Sequence, residues 1–85
     1  MRRIDQTYTM LDVNVDIYDE DAISNLKLRY PSLAIARISA TKFNNDSRNT
    51  LKFYVYHWLI DNYKSAIFDI NNYYSKYKIT EKVVK

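Results

Sequence analysis

The sequence contains no glycine and no cysteine, and it has one proline and one histidine. Without cysteine the chain can form neither a disulfide nor a thiolate metal site, and one histidine cannot supply the usual zinc ligand sets. Phosphate loops of the P-loop and Rossmann types need glycine, so both classes are excluded. No run approaches the ~18 apolar residues of a membrane span. We therefore expect a cytoplasmic protein with a single domain over residues 1–85, no membrane segment and no cofactor.

The spacing of apolar residues predicts an α+β fold. Apolar residues alternate with polar ones from Leu11 to Ile17, which is the period of a half-buried strand, whereas Ile60 to Tyr77 carry a stripe at steps of three and four. Asp19 is a suitable helix N-cap and Pro31 a suitable stop. The predicted elements are a strand over 8–18, a helix between Asp19 and Pro31, a strand over 32–43, a strand over 51–59, a helix from Ile60 and a strand in the tail KITEKVVK.

This order of elements, βαββαβ, is the split βαβ arrangement of ferredoxin-like domains, with two helices on one face of one sheet. The competing interpretation makes the tail part of the second helix, which leaves a three-stranded sheet with a long C-terminal helix. In both cases one face of the sheet stays open. A helix beginning at Ser47 or Asn49 is the alternative for the third strand.

The candidate binding residues lie on the outward side of the third strand. If Leu51, Phe53 and Val55 face the helices, their neighbours face away, and on the second strand Arg37, Ser39 and Thr41 are expected to join them. The candidate site residues for binding protein or RNA are Arg37, Lys52, Tyr54, Tyr56 and Trp58. Aromatic side chains can stack unpaired bases while cations hold phosphates, and Tyr, Trp and Arg are also the usual anchors of protein interfaces.

Two other patterns are not expected to carry chemistry. Asp12, Asn14 and Asp16 have the spacing of a calcium loop, but Ile17 and Ile23 occupy the places of its glycine and its glutamate. His57 has no nucleophile motif near it, and its aromatic neighbours favour a packing role. The sequence therefore predicts no metal site and no catalytic residues, so we do not expect an enzyme.

The stretch LKFYVYHW, residues 51–58, resembles the aromatic third strand of RNA-recognition motifs. The family has a glycine after its first basic residue, where this chain has Phe53, and the first strand LDVNVDIY lacks an aromatic residue in the middle of its exposed face. The resemblance implies an RNA-binding module as the alternative function.

Asn, Ile, Tyr and Lys dominate the composition, and the formal net charge is +3. Because AT-rich codons encode these four residues, the gene is expected to come from an AT-biased genome. In composition the chain resembles the small early proteins of AT-rich tailed phages of the T-even type, many of which bind and block a host enzyme or defence factor. The resemblance implies a non-catalytic inhibitor of a host protein that acts on nucleic acid, such as a toxin ribonuclease or a defence factor. The aromatic and charged face of the sheet adds single-stranded RNA and a second copy of the chain as further candidate partners.

Overall fold

The computed structural model describes residues 6–38 and 49–85. Six elements follow one another in the order βαββαβ. They are β1 (Tyr8–Val15), α1 (Glu20–Arg29), β2 (Ala34–Ile38), β3 (Asn49–Tyr56), α2 (Tyr63–Tyr73) and β4 (Ile79–Val84). None of the helices in the described ranges is long and apolar enough to cross a membrane.

The four strands form one open antiparallel sheet in the order β2-β3-β1-β4. This confirms the predicted α+β class. The C-terminal tail pairs with β1 from Val13 opposite Ile79 to Tyr8 opposite Val84. The tail is therefore a strand, and the alternative of a three-stranded sheet with a long final helix is wrong.

The core lies between one face of the sheet and both helices. Every second residue of β1 and β3 is buried, and directly opposite residues share a face, since Leu11 pairs with Phe53 and Val13 with Leu51. Ile23 and Leu26 of α1 and Ala66 and Ile70 of α2 belong to the same buried cluster. The core thus accounts for one face of the sheet, and the other face carries no helix among the described residues.

Both helices begin at side-chain caps. Asp19 accepts a hydrogen bond from the amide of Ala22, as its position in the sequence predicts, and Asn62 does the same for Ser65. The second helix starts three residues later than Ile60, because residues 57–62 form turns in which the amides of Leu59 and Ile60 donate to the Tyr56 carbonyl. Ile60 is nevertheless buried.

The boundaries of the first three strands differ from the predicted ones. The first ends at Val15 instead of residue 18, and the third runs over Asn49–Tyr56 instead of 51–59, which leaves Trp58 in the following turn. The second begins at Ala34, and its predicted part after Ile38 falls outside the described residues. The third strand, β3, is a strand throughout its described length, so the alternative of a helix there is wrong.

The two helices are joined by a polar cluster on their shared side. The Tyr30 hydroxyl donates to Asp69 at 2.6 Å and lies 2.9 Å from the Ser65 hydroxyl. Arg29 pairs with the same Asp69 carboxylate at 3.0 Å. These contacts tie the end of α1 to the middle of α2, and so they fix the helix pair above the sheet.

Candidate functional site

The side of the sheet away from the helices, called here the open face, carries the residues that alternate with the core. The register places Tyr8 opposite Tyr56, Met10 opposite Tyr54, Asp12 opposite Lys52 and Asn14 opposite Thr50 on the two central strands. The edge strands add Ala34, Ala36, Ile38, Thr80, Lys82 and Val84. One end of the open face is therefore aromatic and the other is polar.

Four aromatic rings form a continuous group at one end of the open face, called here the aromatic cluster: Tyr8, Tyr54, Tyr56 and Trp58. The centroid of the Tyr8 ring lies 6.2 Å from that of Tyr54 and 5.6 Å from that of Tyr56. The rings of Tyr54 and Tyr56 are nearly parallel, at 10° and 6.3 Å, and Trp58 lies 5.0 Å from Tyr56. Residues two apart on β3 and their cross-strand neighbour on β1 produce this arrangement directly.

The three predicted aromatic site residues, Tyr54, Tyr56 and Trp58, are thus brought together. Trp58 contacts the group from the turn after β3 and not from the strand itself, and 41% of it is exposed. Large aromatic side chains that are only half-covered, on a sheet face that carries no helix within the described ranges, are typical anchors for a macromolecular partner. The aromatic cluster is the strongest feature of the open face.

The polar end of the open face has its charges in contact with each other. Lys52 Nζ lies 4.0 Å from Asp12 Oδ1, within ion-pair distance but too far for a hydrogen bond. Next to this pair, the Thr50 hydroxyl donates to Asn14 Oδ1 at 3.3 Å. Lys52 therefore lies on the open face as predicted, but Asp12 offsets its charge.

Arg37 does not lie on the open face, and this part of the prediction is wrong. Arg37 pairs with the buried Leu51, so it shares the helix-covered side of the sheet, where its guanidinium donates to Glu20 at 2.7 Å. The outward positions of β2 hold Ala34 and Ala36 instead. The predicted outward residues Ser39 and Thr41 fall outside the described residues.

The His57 side chain is held by two neighbouring side chains of the fold. Its ring stacks on Tyr63 with centroids 3.8 Å apart and planes 12° apart, and its Nε2 lies 2.8 Å from the Thr9 hydroxyl. A hydroxyl beside an imidazole is the arrangement of an activated nucleophile. However, Thr9 is only 1% exposed, so no substrate can reach this hydroxyl.

Within residues 6–38 and 49–85, no group of three or more His, Cys, Asp or Glu side chains is placed to hold a metal ion. Asp12 lies in β1, whereas Asp16 follows the end of that strand. Asp12 therefore belongs to the polar end of the open face, whereas Asp16 lies outside the sheet.

Tyr8 and Lys82 are an aromatic residue and a cation of the open face that were not among the predicted site residues. Tyr8 has the same parity as Asp12, so extending the strand alternation to its first residue would have identified it. Lys82 is assigned to this face by the pairing of Met10 with Lys82, which depends on the tail being a strand. Local sequence alone leaves that point open.

Comparisons with protein-family models, with curated proteins and with solved structures found no match to this chain.

Proposed function

We propose that this is a non-catalytic binding protein that docks a partner protein on its open face. The observation that carries the proposal is the aromatic cluster, in which neighbouring ring centroids lie 5.0–6.3 Å apart on the helix-free side of the sheet. Tyrosine and tryptophan are enriched among the few residues that carry most of the binding energy at protein interfaces, since they bury a large area and lose little side-chain entropy.

The distribution of charge favours protein over RNA as the partner. Binding of single-stranded RNA needs cations beside the stacking residues, because phosphate contacts provide much of its affinity. Of the two predicted phosphate contacts, Arg37 binds Glu20 on the other side of the sheet, and Lys52 lies beside Asp12. Lys82 is a further cation on the open face. Among the described residues of the open face, the aromatic anchors are thus concentrated, whereas the cations are few and partly offset.

The class of partner is proposed from composition. The resemblance to small early phage proteins suggests that the chain binds and inhibits a host protein acting on nucleic acid, such as a toxin ribonuclease or a defence factor. An RNA bound by that target can remain in the complex, held near Lys82. No residue of the resemblance supports a more specific target, so the open face is the part of the proposal that can be tested first.

We also propose that the fold is the ferredoxin-like split βαβ arrangement. Read from the other edge, the strand order is β4-β1-β3-β2. Each βαβ unit then connects two strands that have one other strand between them, and every neighbouring pair is antiparallel. This topology has both crossover helices on the same face, so neither of them covers the aromatic cluster.

Affinity purification of the tagged protein from host-cell lysate tests the proposed function. We expect the wild-type protein to retain a discrete protein that stays bound after ribonuclease treatment. Tyr56→Ala should lose this protein, because Tyr56 contacts three other rings of the aromatic cluster. Phe68→Ala is the matched control, since Phe68 is an aromatic residue of α2 that is 65% exposed.

Two results would overturn the proposal. If Tyr56→Ala and the wild-type protein retain the same partner, the open face is not the docking surface. If ribonuclease releases everything that the wild-type protein retains, the RNA-binding alternative replaces the protein-binding one. Recovery of a second, untagged copy of the chain as the retained protein would assign the open face to self-association.

A further inference from the structure

The last strand of the sheet has one side without a neighbouring strand in the described ranges. β4 stands at the end of the strand order and pairs with β1 alone. β2 stands at the other end, but the chain after Ile38 falls outside the described residues. The free side of β4, called here the β4 edge, is therefore the sheet edge that the structure describes over its whole length.

The backbone of β4 directs half of its hydrogen-bonding groups toward the β4 edge. The amide of Asn14 donates to the carbonyl of Lys78 at 3.3 Å, directly before β4 begins. In antiparallel pairing, positions that are bonded in this way alternate with positions that are not. The register therefore uses the backbone groups of Thr80, Lys82 and Val84 for the bonds to β1. The amides and carbonyls that point away from β1 belong to the residues between them: Ile79, Glu81 and Val83.

The side chains along the β4 edge present one charge on each side of the sheet. Glu81 is opposite the buried Leu11, so it lies on the helix-covered side, whereas Lys82 is opposite Met10 on the open face. Both are exposed, and neither forms an ion pair with another described residue. The adjacent Val83 is 51% exposed. The β4 edge thus combines unpaired backbone positions with two unpaired charges and an apolar side chain.

These charges oppose pairing of β4 with a second copy of the chain. An outward-pointing residue pairs with an outward-pointing residue, so self-pairing of the antiparallel type joins odd-numbered positions to odd-numbered positions. Of the two registers that overlap most of the strand, one places Glu81 opposite Glu81 of the other copy. The second register places Lys82 opposite Lys82. Like charges directly opposite each other destabilise a strand pair, so both registers are disfavoured.

We propose that the β4 edge binds an extended segment of a partner protein as an additional antiparallel strand. The segment exchanges backbone hydrogen bonds with Ile79, Glu81 and Val83. It carries a basic residue opposite Glu81, an acidic residue opposite Lys82 and an apolar residue opposite Val83. Backbone hydrogen bonds give strand addition its affinity, and the alternating side chains give it specificity. The same two charges that oppose a second copy therefore select a segment of complementary charge.

The β4 edge contains no residue of the aromatic cluster. Strand addition there does not depend on the docking of a protein on the open face, and the two proposals can fail separately. Tyr56→Ala, which should abolish docking on the open face, should leave binding at the β4 edge unchanged.

Titration of the ¹⁵N-labelled protein with a peptide of sequence TVEKTVT, blocked at both ends, tests the proposal by ¹H–¹⁵N spectra. When antiparallel to β4, this peptide places its glutamate opposite Lys82 and its lysine opposite Glu81. We expect saturable amide shifts centred on β4. The control peptide TVKETVT has the same composition but places like charges opposite each other, so it should bind about fivefold more weakly or less.

Exchange of the two charges in the protein should reverse this preference. The double variant Glu81→Lys with Lys82→Glu should bind TVKETVT more tightly than TVEKTVT. The matched control, Asp61→Lys with Lys64→Asp, exchanges two exposed charges at the start of α2 and should keep the wild-type preference.

Methylation of single peptide amides tests the backbone contacts. The lysine amide of TVEKTVT donates to the carbonyl of Glu81 in the proposed pairing, so its N-methylation should abolish binding. The glutamate amide points away from β4, so its N-methylation should leave binding intact.

The proposal is overturned if TVEKTVT produces no saturable shifts on β4, if the two peptides bind equally well, or if the double variant keeps the wild-type preference. Loss of peptide binding in Tyr56→Ala would place the peptide on the open face and would also overturn it. A dimer of the free protein whose contact maps to β4 would identify a second copy as the occupant instead.

Discussion

Phe53 and Tyr54 are neighbours on β3 that face opposite sides of the sheet, and replacing each by alanine tests the assignment of the two faces. Phe53 is fully buried and its ring lies 5.6 Å from that of Tyr74 in the core. Truncation of a buried phenylalanine costs about 3–5 kcal/mol. A domain of 85 residues has a free energy of unfolding of roughly 4–13 kcal/mol, so Phe53→Ala should remove about a quarter of it or more.

Tyr54→Ala should cost much less. Tyr54 is half-buried, and its replacement removes contacts with two rings of the aromatic cluster, those of Tyr8 and Tyr56. Each such pair contributes about 0.5–1.5 kcal/mol, and the partners here are themselves partly exposed. We therefore expect a loss of about 1–2 kcal/mol in the free energy of unfolding.

Urea unfolding at 25 °C, followed by far-ultraviolet circular dichroism, measures both changes from the transition midpoint and slope. The free energy of unfolding should decrease in the order wild type, Tyr54→Ala, Phe53→Ala, and the difference between the two variants should exceed that between Tyr54→Ala and the wild type. If Tyr54→Ala costs as much as Phe53→Ala, the aromatic cluster belongs to a core, and the proposed docking surface is refuted with it.

Three further changes test separate parts of the structure. His57→Ala should lower the free energy of unfolding by about 1–3 kcal/mol in the urea assay, because it leaves the buried Thr9 hydroxyl unpaired. Capture of the partner protein should stay intact. Loss of this capture with an unchanged free energy of unfolding would argue for a functional histidine. Arg37→Ala removes an exposed ion pair with Glu20 and should cost at most ~1 kcal/mol without changing partner affinity, so a loss like that of Tyr56→Ala would contradict the placement of Arg37. Between pH 10 and about 12 the unfolded chain releases the Tyr74 proton while the folded chain keeps it, so the free energy of unfolding should fall as pH rises through this range, by at most about 2–3 kcal/mol. The free energy of unfolding of Tyr74→Phe should fall less steeply over the same range. Identical pH dependences for the variant and the wild-type protein would contradict the raised pKa of Tyr74.

The core side of the sheet could be predicted from sequence because apolar core residues alternate strictly with other residues along β1 and along β3. Leu11, Val13, Leu51 and Phe53 have polar or aromatic neighbours at every intervening position, and period-two alternation gives the face without knowledge of the neighbours. The same regularity placed Lys52, together with Tyr54 and Tyr56, on the open face.

The face of β2 could not be predicted in this way. Its sequence AIARI has apolar or small residues at four of five positions, so alternation does not distinguish its two sides. Pairing with β3 decides the matter, and it places Arg37 beside Leu51 and near Glu20 of α1. The pairing of β2 with β3, which is not local in sequence, therefore determines the placement of Arg37, the candidate residue that was predicted on the wrong face.

The end of β3 was also determined by contacts that local sequence does not encode. The stretch from Leu51 to Leu59 contains no glycine or proline that would mark a boundary. The chain turns after Tyr56 because its carbonyl accepts bonds from the amides of Leu59 and Ile60, and Ile60 enters the core. Trp58 reaches the aromatic cluster from this turn.

Photo-crosslinking from the open face tests the central claim most directly. A benzophenone amino acid, p-benzoylphenylalanine, replaces Tyr54 in one variant and the exposed Phe68 of α2 in a control. After irradiation in cells of the proposed host, we predict a discrete protein adduct from position 54 that resists ribonuclease and is absent from position 68. Equal adducts from both positions, or an adduct from position 54 that ribonuclease removes, would contradict the docking of a protein on the open face.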